Sequence, residues 1–174
     1  MAPNESRRRI HDEKLYGHFI SFTCYRRRLL LRDKRARGIV IYYLAEQLKN
    51  RNAECMGFVV MLDHVHALVR FDEPGQLSIF MSQWKRRSSL GLKKLYRETF
   101  TENELRIDLD KPMWQPRYHS FEIYSKSKAI EKIKYMHRNP VKAGLVKRPE
   151  DWLHSSARWY TDKKPVGVSL TKAF

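Results

Sequence analysis

Cysteine is scarce: Cys24 and Cys55 are the only two in 174 residues. That excludes a disulfide-built scaffold and suits a reducing compartment. Acidic side chains are also few, 19 against 35 Lys and Arg, which excludes an acidic, self-solvating chain. No apolar run nears the roughly 20 residues that a membrane helix needs; the longest, Gly57 to Leu62 and Ile39 to Ala45, fall far short. Nothing at the N-terminus joins basic residues to an apolar stretch, so no secretory signal is expected. Internal repeats and low-complexity linkers are missing too. The expectation is a cytoplasmic chain that does not enter a membrane.

What remains is strongly basic yet able to fold. Hydrophobic residues make up 42% of the chain, and the formal charge is +16 with a pI near 10.0. Such a surplus draws polyanions, of which nucleic acid is the commonest. Residues 1–15 are polar and basic, and are expected to form a flexible arm that could also lie along a phosphate backbone.

The pattern along the chain predicts strand, helix, strand, strand, helix, strand, helix. "HFISFTCY" reads as a first strand that leaves into Arg26, Arg27 and Arg28. Residues 33–51 carry Ile39, Val40, Tyr43, Leu44 and Leu48 at helical spacing. "ECMGFVVM" and "HVHALVRF" form a hairpin around Leu62-Asp63. A long helix follows over 77–100, then a loop over 101–112, a strand in "WQPRYHSFEIY", and a third helix over 125–139. Pro140 is expected to end that helix, since the residue before a proline leaves the α region. The order is the β-α-β-β-α-β of a ferredoxin-like α+β domain. Its antiparallel sheet would carry helices on one face and leave the other open for a ligand, with an added C-terminal helix. The predicted boundaries are an arm over 1–15, one domain over 16–160 and a C-terminal tail over 161–174.

The hairpin's second strand opens with two histidines. Side chains alternate along a strand, so His64 and His66 share a face with Leu68, about 7 Å apart, while Val65, Ala67 and Val69 take the other. Two imidazoles so placed can hold one divalent ion if a third ligand comes from elsewhere. The alternative is a pair of partly exposed strand histidines with hydrogen-bonding neighbours. On the third helix, Ala129, Ile130, Ile133, Met136 and His137 form an apolar arc, and Tyr135 lies nearly opposite its centre. Lys128, Lys132 and Asn139 share its side. The helix would therefore present a phenol, an amide oxygen and two ammonium groups together; the alternative is that Tyr135 is a half-exposed aromatic with its hydroxyl in water.

Taken together, "MLDHVHALV", "WQPRYH", "KYMHRNPVKAGLV" and "DWLHSSARWY" resemble, in this order and spacing, the REP-associated tyrosine transposases. These belong to the single-tyrosine HUH (His-hydrophobic-His) nucleases of the IS200-like group. The resemblance runs from about Tyr16 to about Tyr160. It implies cleavage and rejoining of single-stranded DNA at palindromic hairpins, without nucleoside triphosphate. It places the HUH pair at His64 and His66, the nucleophile at Tyr135 and the third metal ligand at Asn139. The implied cofactor is Mg2+ or Mn2+, and imidazole ligands favour manganese of the two. Two departures stand out: Leu62 replaces the proline common before the Asn or Asp of the turn, and Ser120 and Phe121 stand where an acidic residue and a histidine are frequent.

The expected DNA contacts are Arg26, Arg27, Arg28, Lys85, Arg86, Arg87, Lys132 and Lys142, with Lys147 and Arg148 beyond the third helix. Trp84 could stack a base, but its place in the apolar stripe of its helix assigns it to the core. Lys132 or a metal-bound water are candidates to take the Tyr135 proton. The partner is single-stranded or hairpin DNA, and the protein is a monomer or a homodimer. Two other readings stay open: a module that holds hairpin DNA or RNA without cutting, and a nuclease that uses an activated water in place of Tyr135.

Overall fold

The computed structural model describes residues 16–101 and 107–173. The strands are β1 (Gly17–Thr23), β2 (Glu54–Val60), β3 (His64–Arg70) and β4 (His119–Ile123). The helices are α1 (Lys34–Asn50), α2 (Gln76–Thr99), α3 (Lys126–Lys142) and the short α4 (Ala157–Asp162). One sheet holds the strands in the order β2-β3-β1-β4, and every neighbouring pair is antiparallel. This is the expected ferredoxin-like arrangement. The predicted arm over 1–15 and part of the predicted loop, 102–106, lie outside the described residues.

Local chemistry sets the boundaries. The Asp33 side chain accepts from the Arg35 amide at 2.8 Å and caps α1, and Ser125 caps α3 by accepting from the Lys128 amide; each supplies an acceptor to an otherwise unpaired first-turn N–H. The hairpin closes tightly around Leu62-Asp63, with the Met61 amide donating to the His64 carbonyl at 2.8 Å. Pro140 does not end α3, which runs on to Lys142. Proline sits in the last turn, where only one helical hydrogen bond is forfeited. The stop comes instead at Gly144, whose φ of +69° suits the left-handed exit from a helix.

The sheet has two covered faces. Ile20, Phe22, Val65, Ala67 and Val69 point to one side, where α1 and α2 complete the larger core around Trp84. Trp84 is fully buried and donates its indole N–H to the Val40 carbonyl at 2.9 Å, so it is a core residue and not a base-stacking one. The opposite side was expected to be open. Instead α3 lies across it, with Ala129, Ile133 and Met136 packed on Phe19, Met56, Val59 and Leu68. Gly57 of β2 makes that approach close: a Cβ there would stand 3.2 Å from Met136 Cε and 3.2 Å from Ser156 Oγ. Ile130, assigned to the apolar arc, is 37% exposed.

The C-terminal segment seals the outer edge of β2. Val60 N–H donates to the His154 carbonyl, Ser156 N–H to Phe58 and Thr171 N–H to Cys55, each at 2.9 Å. Trp152 donates its indole N–H to the Val60 carbonyl at 3.0 Å, and the Tyr160 hydroxyl donates to Met56. Pairing of this kind removes an exposed edge that would otherwise invite association. The predicted tail is thus anchored, with Val166 and Val168 in the larger core. His137, as expected, is buried, and bonds Ser156 Oγ at 2.7 Å. Among the described residues no helix is long and apolar enough to cross a membrane.

Two stability predictions follow from this packing. Gly57→Val overfills the contact between α3 and the sheet and should cost about 1–3 kcal/mol; an unchanged denaturation midpoint would refute the close approach. The second concerns acid. Arg37 donates Nε–H to His154 Nδ1 at 3.1 Å, which requires an unprotonated nitrogen. Burial first, and the Arg37 charge second, push the His154 pKa from 6.5 down to about 4. The unfolded chain takes that proton sooner, so stability is full above pH 6.5 and falls as the pH drops toward 4, by on the order of 2 kcal/mol. The slope should flatten in His154→Gln in urea titrations at several pH values.

Candidate functional site

The second face of the sheet turns polar at one end. There β1 contributes Ser21 and Thr23, paired opposite His66 and His64 of β3. Both histidines and Leu68 share this face, as strand alternation predicts. The imidazole centroids stand 5.0 Å apart with their planes at 74°. His64 is oriented from behind: its Nδ1 lies 2.6 Å from Asp63 Oδ1, so the ring N–H donates to the carboxylate and Nε2 is the nitrogen left for another partner. Asp63 is itself fixed, since its carbonyl accepts from the Cys24 amide at 2.7 Å and its carboxylate meets Arg27 at 3.5 Å.

His66 is held differently. Its ring stacks on Phe19 at 5.4 Å and meets the edge of Tyr135 at 5.7 Å. Burial, helped by the charges of His64 and Lys132, pushes its pKa down to about 3. The Ile20 carbonyl acts the other way, but no hydrogen bond of good geometry reaches Nδ1. His66 is therefore neutral at physiological pH, the form in which imidazole binds metals.

Tyr135 comes from α3 and is 43% exposed. Below it lies Phe19, 6.1 Å away edge to face. Two ammonium groups flank its ring, Lys132 Nζ at 5.7 Å and Lys142 Nζ at 5.6 Å. Asn139, one turn on, has a side-chain amide with no hydrogen bond to the described residues. His64, His66, Tyr135, Asn139, Arg27 and Lys142 line one cleft of about 500 Å³. The two elements that sequence reading paired, the strand histidines and the helix tyrosine, thus meet in space.

The donor set suits a divalent cation of the manganese type. Among the described residues no three His, Cys, Asp or Glu side chains gather around a common point. The set is two imidazoles and the Asn139 amide oxygen, which would leave positions for substrate oxygens. The cysteines offer no rival nucleophile: both are buried, with thiols pushed up to about 12 by desolvation.

The expected DNA contacts divide. Arg27, Lys132 and Lys142 gather at the cleft, while exposed Arg26 holds its guanidinium 5.3 Å from the Tyr25 ring. Arg28 instead ties down a loop, donating to the Pro112 carbonyl at 2.7 Å and the Asp108 carbonyl at 3.3 Å. Lys85 does the same for the carbonyls of Gln115 and Pro116, at 2.5 and 3.0 Å, and its partial burial lowers its pKa. Arg86 and Arg87 belong to α2, on the far side of the sheet, where Arg87 meets Glu46 at 3.7 Å. Arg148 is paired with Asp151 at 2.8 Å. Sequence reading missed Asp63, Ser21 and Thr23. The signals were present: a carboxylate next to the first histidine, and polar residues alternating with Phe22 and Cys24 along β1.

Comparison with known proteins gives the family and the fold. The family described as "Transposase IS200 like" matches residues 11–139, a span that contains His64, His66, Tyr135 and Asn139. No curated protein matches the sequence. Among solved structures, a REP-associated tyrosine transposase bound to a REP hairpin is 21% identical, with a TM-score of 0.69 over 95% of this chain and 92% of that one. A putative transposase from Deinococcus radiodurans is also 21% identical, with a TM-score of 0.47 over 71% of this chain and 89% of that one. At such identity the first of these speaks for a common fold. With a family match across most of its length, the chain belongs to the IS200-like transposases.

Proposed function

We propose that this transposase is a metal-dependent single-stranded DNA nuclease and strand transferase that acts at palindromic, REP-like hairpins through a 5′-phosphotyrosine on Tyr135. The observation that carries the reading is the convergence of His64, His66, Tyr135 and Asn139 on one cleft from two separate elements. The solved relative of the same fold, bound to its REP hairpin, supports the choice of substrate.

His64, His66 and Asn139 would hold Mn2+ or Mg2+, which would supply Lewis-acid polarisation of the scissile phosphate. The Tyr135 oxygen attacks phosphorus in line, a P–O bond forms to tyrosine, and the bond to the 3′ oxygen breaks. Tyr135 gives up its hydroxyl proton as it attacks, and the departing 3′ oxygen takes up one proton to leave as a 3′ hydroxyl, so the step is proton-neutral overall. Lys132 and Lys142 flank the Tyr135 ring and offset the negative charge that gathers between nucleophile and phosphate. The phosphodiester bond energy is kept in the tyrosyl ester, so a 3′ hydroxyl of another strand can reverse the step. Strand transfer then needs no nucleoside triphosphate.

The decisive test incubates the protein with manganese and a labelled single-stranded oligonucleotide carrying a REP-like hairpin, followed by a denaturing gel. A protein-linked fragment is expected, and it should vanish in Tyr135→Phe. Nicking without an adduct would favour an activated-water nuclease; binding without cleavage in either protein would favour a hairpin-binding module. The metal site is tested separately by calorimetric titration with Mn2+. His64→Ala should abolish binding, and Asp63→Asn, which removes the carboxylate behind His64, should weaken it about 10–100-fold. Unchanged affinity in His64→Ala would sink the metal assignment.

A further inference from the structure

A second hollow lies on the other flank of α3. The Tyr135 cleft takes Tyr135, Asn139 and Lys142 from that helix, whereas this hollow takes Ile130, Ile133 and His137. The two share no residue, and α3 stands between them. The far wall is the C-terminal segment, through Tyr160 and Ala173. The volume is about 390 Å³, within the range of sites that enclose small organic groups.

The walls are apolar and fixed. Tyr160 donates its hydroxyl to the Met56 carbonyl, and its ring meets His137 edge to face at 5.5 Å. His137 is anchored in turn by Ser156 Oγ. Ile133 and Ala173 line the hollow while almost wholly buried, and the half-exposed Ile130 forms its rim.

Every charged side chain around it is a lysine: Lys126 and Lys134 from α3, Lys163 and Lys172 from the C-terminal segment. No carboxylate lines it, and among the described residues Lys126, Lys134 and Lys172 form no ion pair. Another hollow, of about 460 Å³, carries Glu54 and Asp72 in its wall, and those carboxylates would repel an anion.

Four ammonium groups around an apolar well suit a ligand that is flat and apolar in the middle and anionic at its edges. An unpaired nucleotide within a DNA strand has that form: the base enters and the flanking phosphates meet the lysines. A strand held at Tyr135 can reach the hollow, because a helix with its side chains is only about 10–12 Å across. At 3.6 residues per turn, exposed Lys134 and Arg138 fall on the outer surface of α3 between the hollow and Tyr135.

We infer that this hollow is a subsite for one unpaired nucleobase of the DNA strand cut at Tyr135, with the neighbouring phosphates on its ring of lysines. The inference rests on the DNA-cleaving function proposed above and adds a second point of attachment to it. The seated base would then set how far along the strand the cut falls.

The test measures binding without chemistry, by fluorescence anisotropy in EDTA. A labelled oligothymidylate of roughly 12 nucleotides, within the range that one small domain covers, is compared with an abasic chain of the same length. Ile130→Trp, which fills the hollow from its rim, should weaken thymidylate binding about ten-fold and leave abasic binding unchanged. Lys172→Ala should weaken both and lower the slope of log affinity against log salt by about 0.7, the value of one single-strand phosphate contact. With 5-iododeoxyuridine in the thymidylate, photocrosslinking of the unmodified protein should label the peptide that contains Tyr160; this arm decides even if Ile130→Trp fails to fold, which circular dichroism melting checks. Equal losses on both oligomers in Ile130→Trp, no loss on either, or crosslinks confined to other peptides would overturn the inference. So would a dimer of the unmodified protein that dissociates in Ile130→Trp, since the hollow would then hold a second copy of the chain. Any of these beside a normal Tyr135 adduct in manganese leaves the cleavage reading untouched, whereas failure of the unmodified protein to bind either oligomer would overturn both.

Discussion

The contact between α3 and the second face of the sheet is the one on which the site depends. Ile133 and Met136 reach down to Met56, Val59 and Phe19, and Gly57 leaves room for them. This burial sets the rotation of the helix. Because Met136 and Ile133 point inward, Tyr135 must point sideways along the sheet, toward the end where β3 begins with His64 and His66. Its edge contact with His66 and its place above Phe19 are consequences of apolar packing one residue away.

The same arrangement shapes the electrostatics. Phe19 is both the floor under Tyr135 and the stacking partner of His66, so the apolar core extends directly beneath the polar cleft. Desolvation from below keeps His66 neutral. His64, at the rim, has a carboxylate behind it instead. The two imidazoles of one short motif are thus prepared in different ways, one by burial and one by a hydrogen bond. Burial favours the uncharged ring of His66, and the hydrogen bond to Asp63 takes up His64 Nδ1 and leaves Nε2 as the nitrogen that faces another partner.

Much of this was legible in the sequence because period and side-chain alternation are local. The register of β3 puts His64, His66 and Leu68 on one face for the same reason that the string "HVHALV" does. The helix arc placed Tyr135 outside the apolar stripe, and Trp84 within one. What was not legible depends on contacts far apart in the chain. Nothing around Lys128 to Lys142 says that this helix covers a sheet face which alternation alone leaves open. The proline rule misplaced the end of α3, because a proline in a last turn disturbs few bonds and Gly144 supplies the actual exit. The role of "DWLHSS" likewise needs three dimensions: it pairs with β2, a strand about 95 residues earlier in the chain.

Net charge, read alone, overstates the surface that can meet a polyanion. Of the basic residues grouped as one binding surface, Arg28 and Lys85 have their donors on backbone carbonyls of the loop before β4; Arg37, outside that group, is likewise buried against His154 and the carbonyls of Leu31 and Arg32. These cations hold loops in place; a carbonyl cluster with no apolar alternative needs a strong multidentate donor. Those that remain near the cleft, Arg27, Lys132 and Lys142, are few, but two of them flank a single phenol ring. A short cationic arc around one phenol ring orients a phosphate more sharply than a diffuse basic face would. The broad positive field then serves mainly to gather the strand, and the local arc to align it.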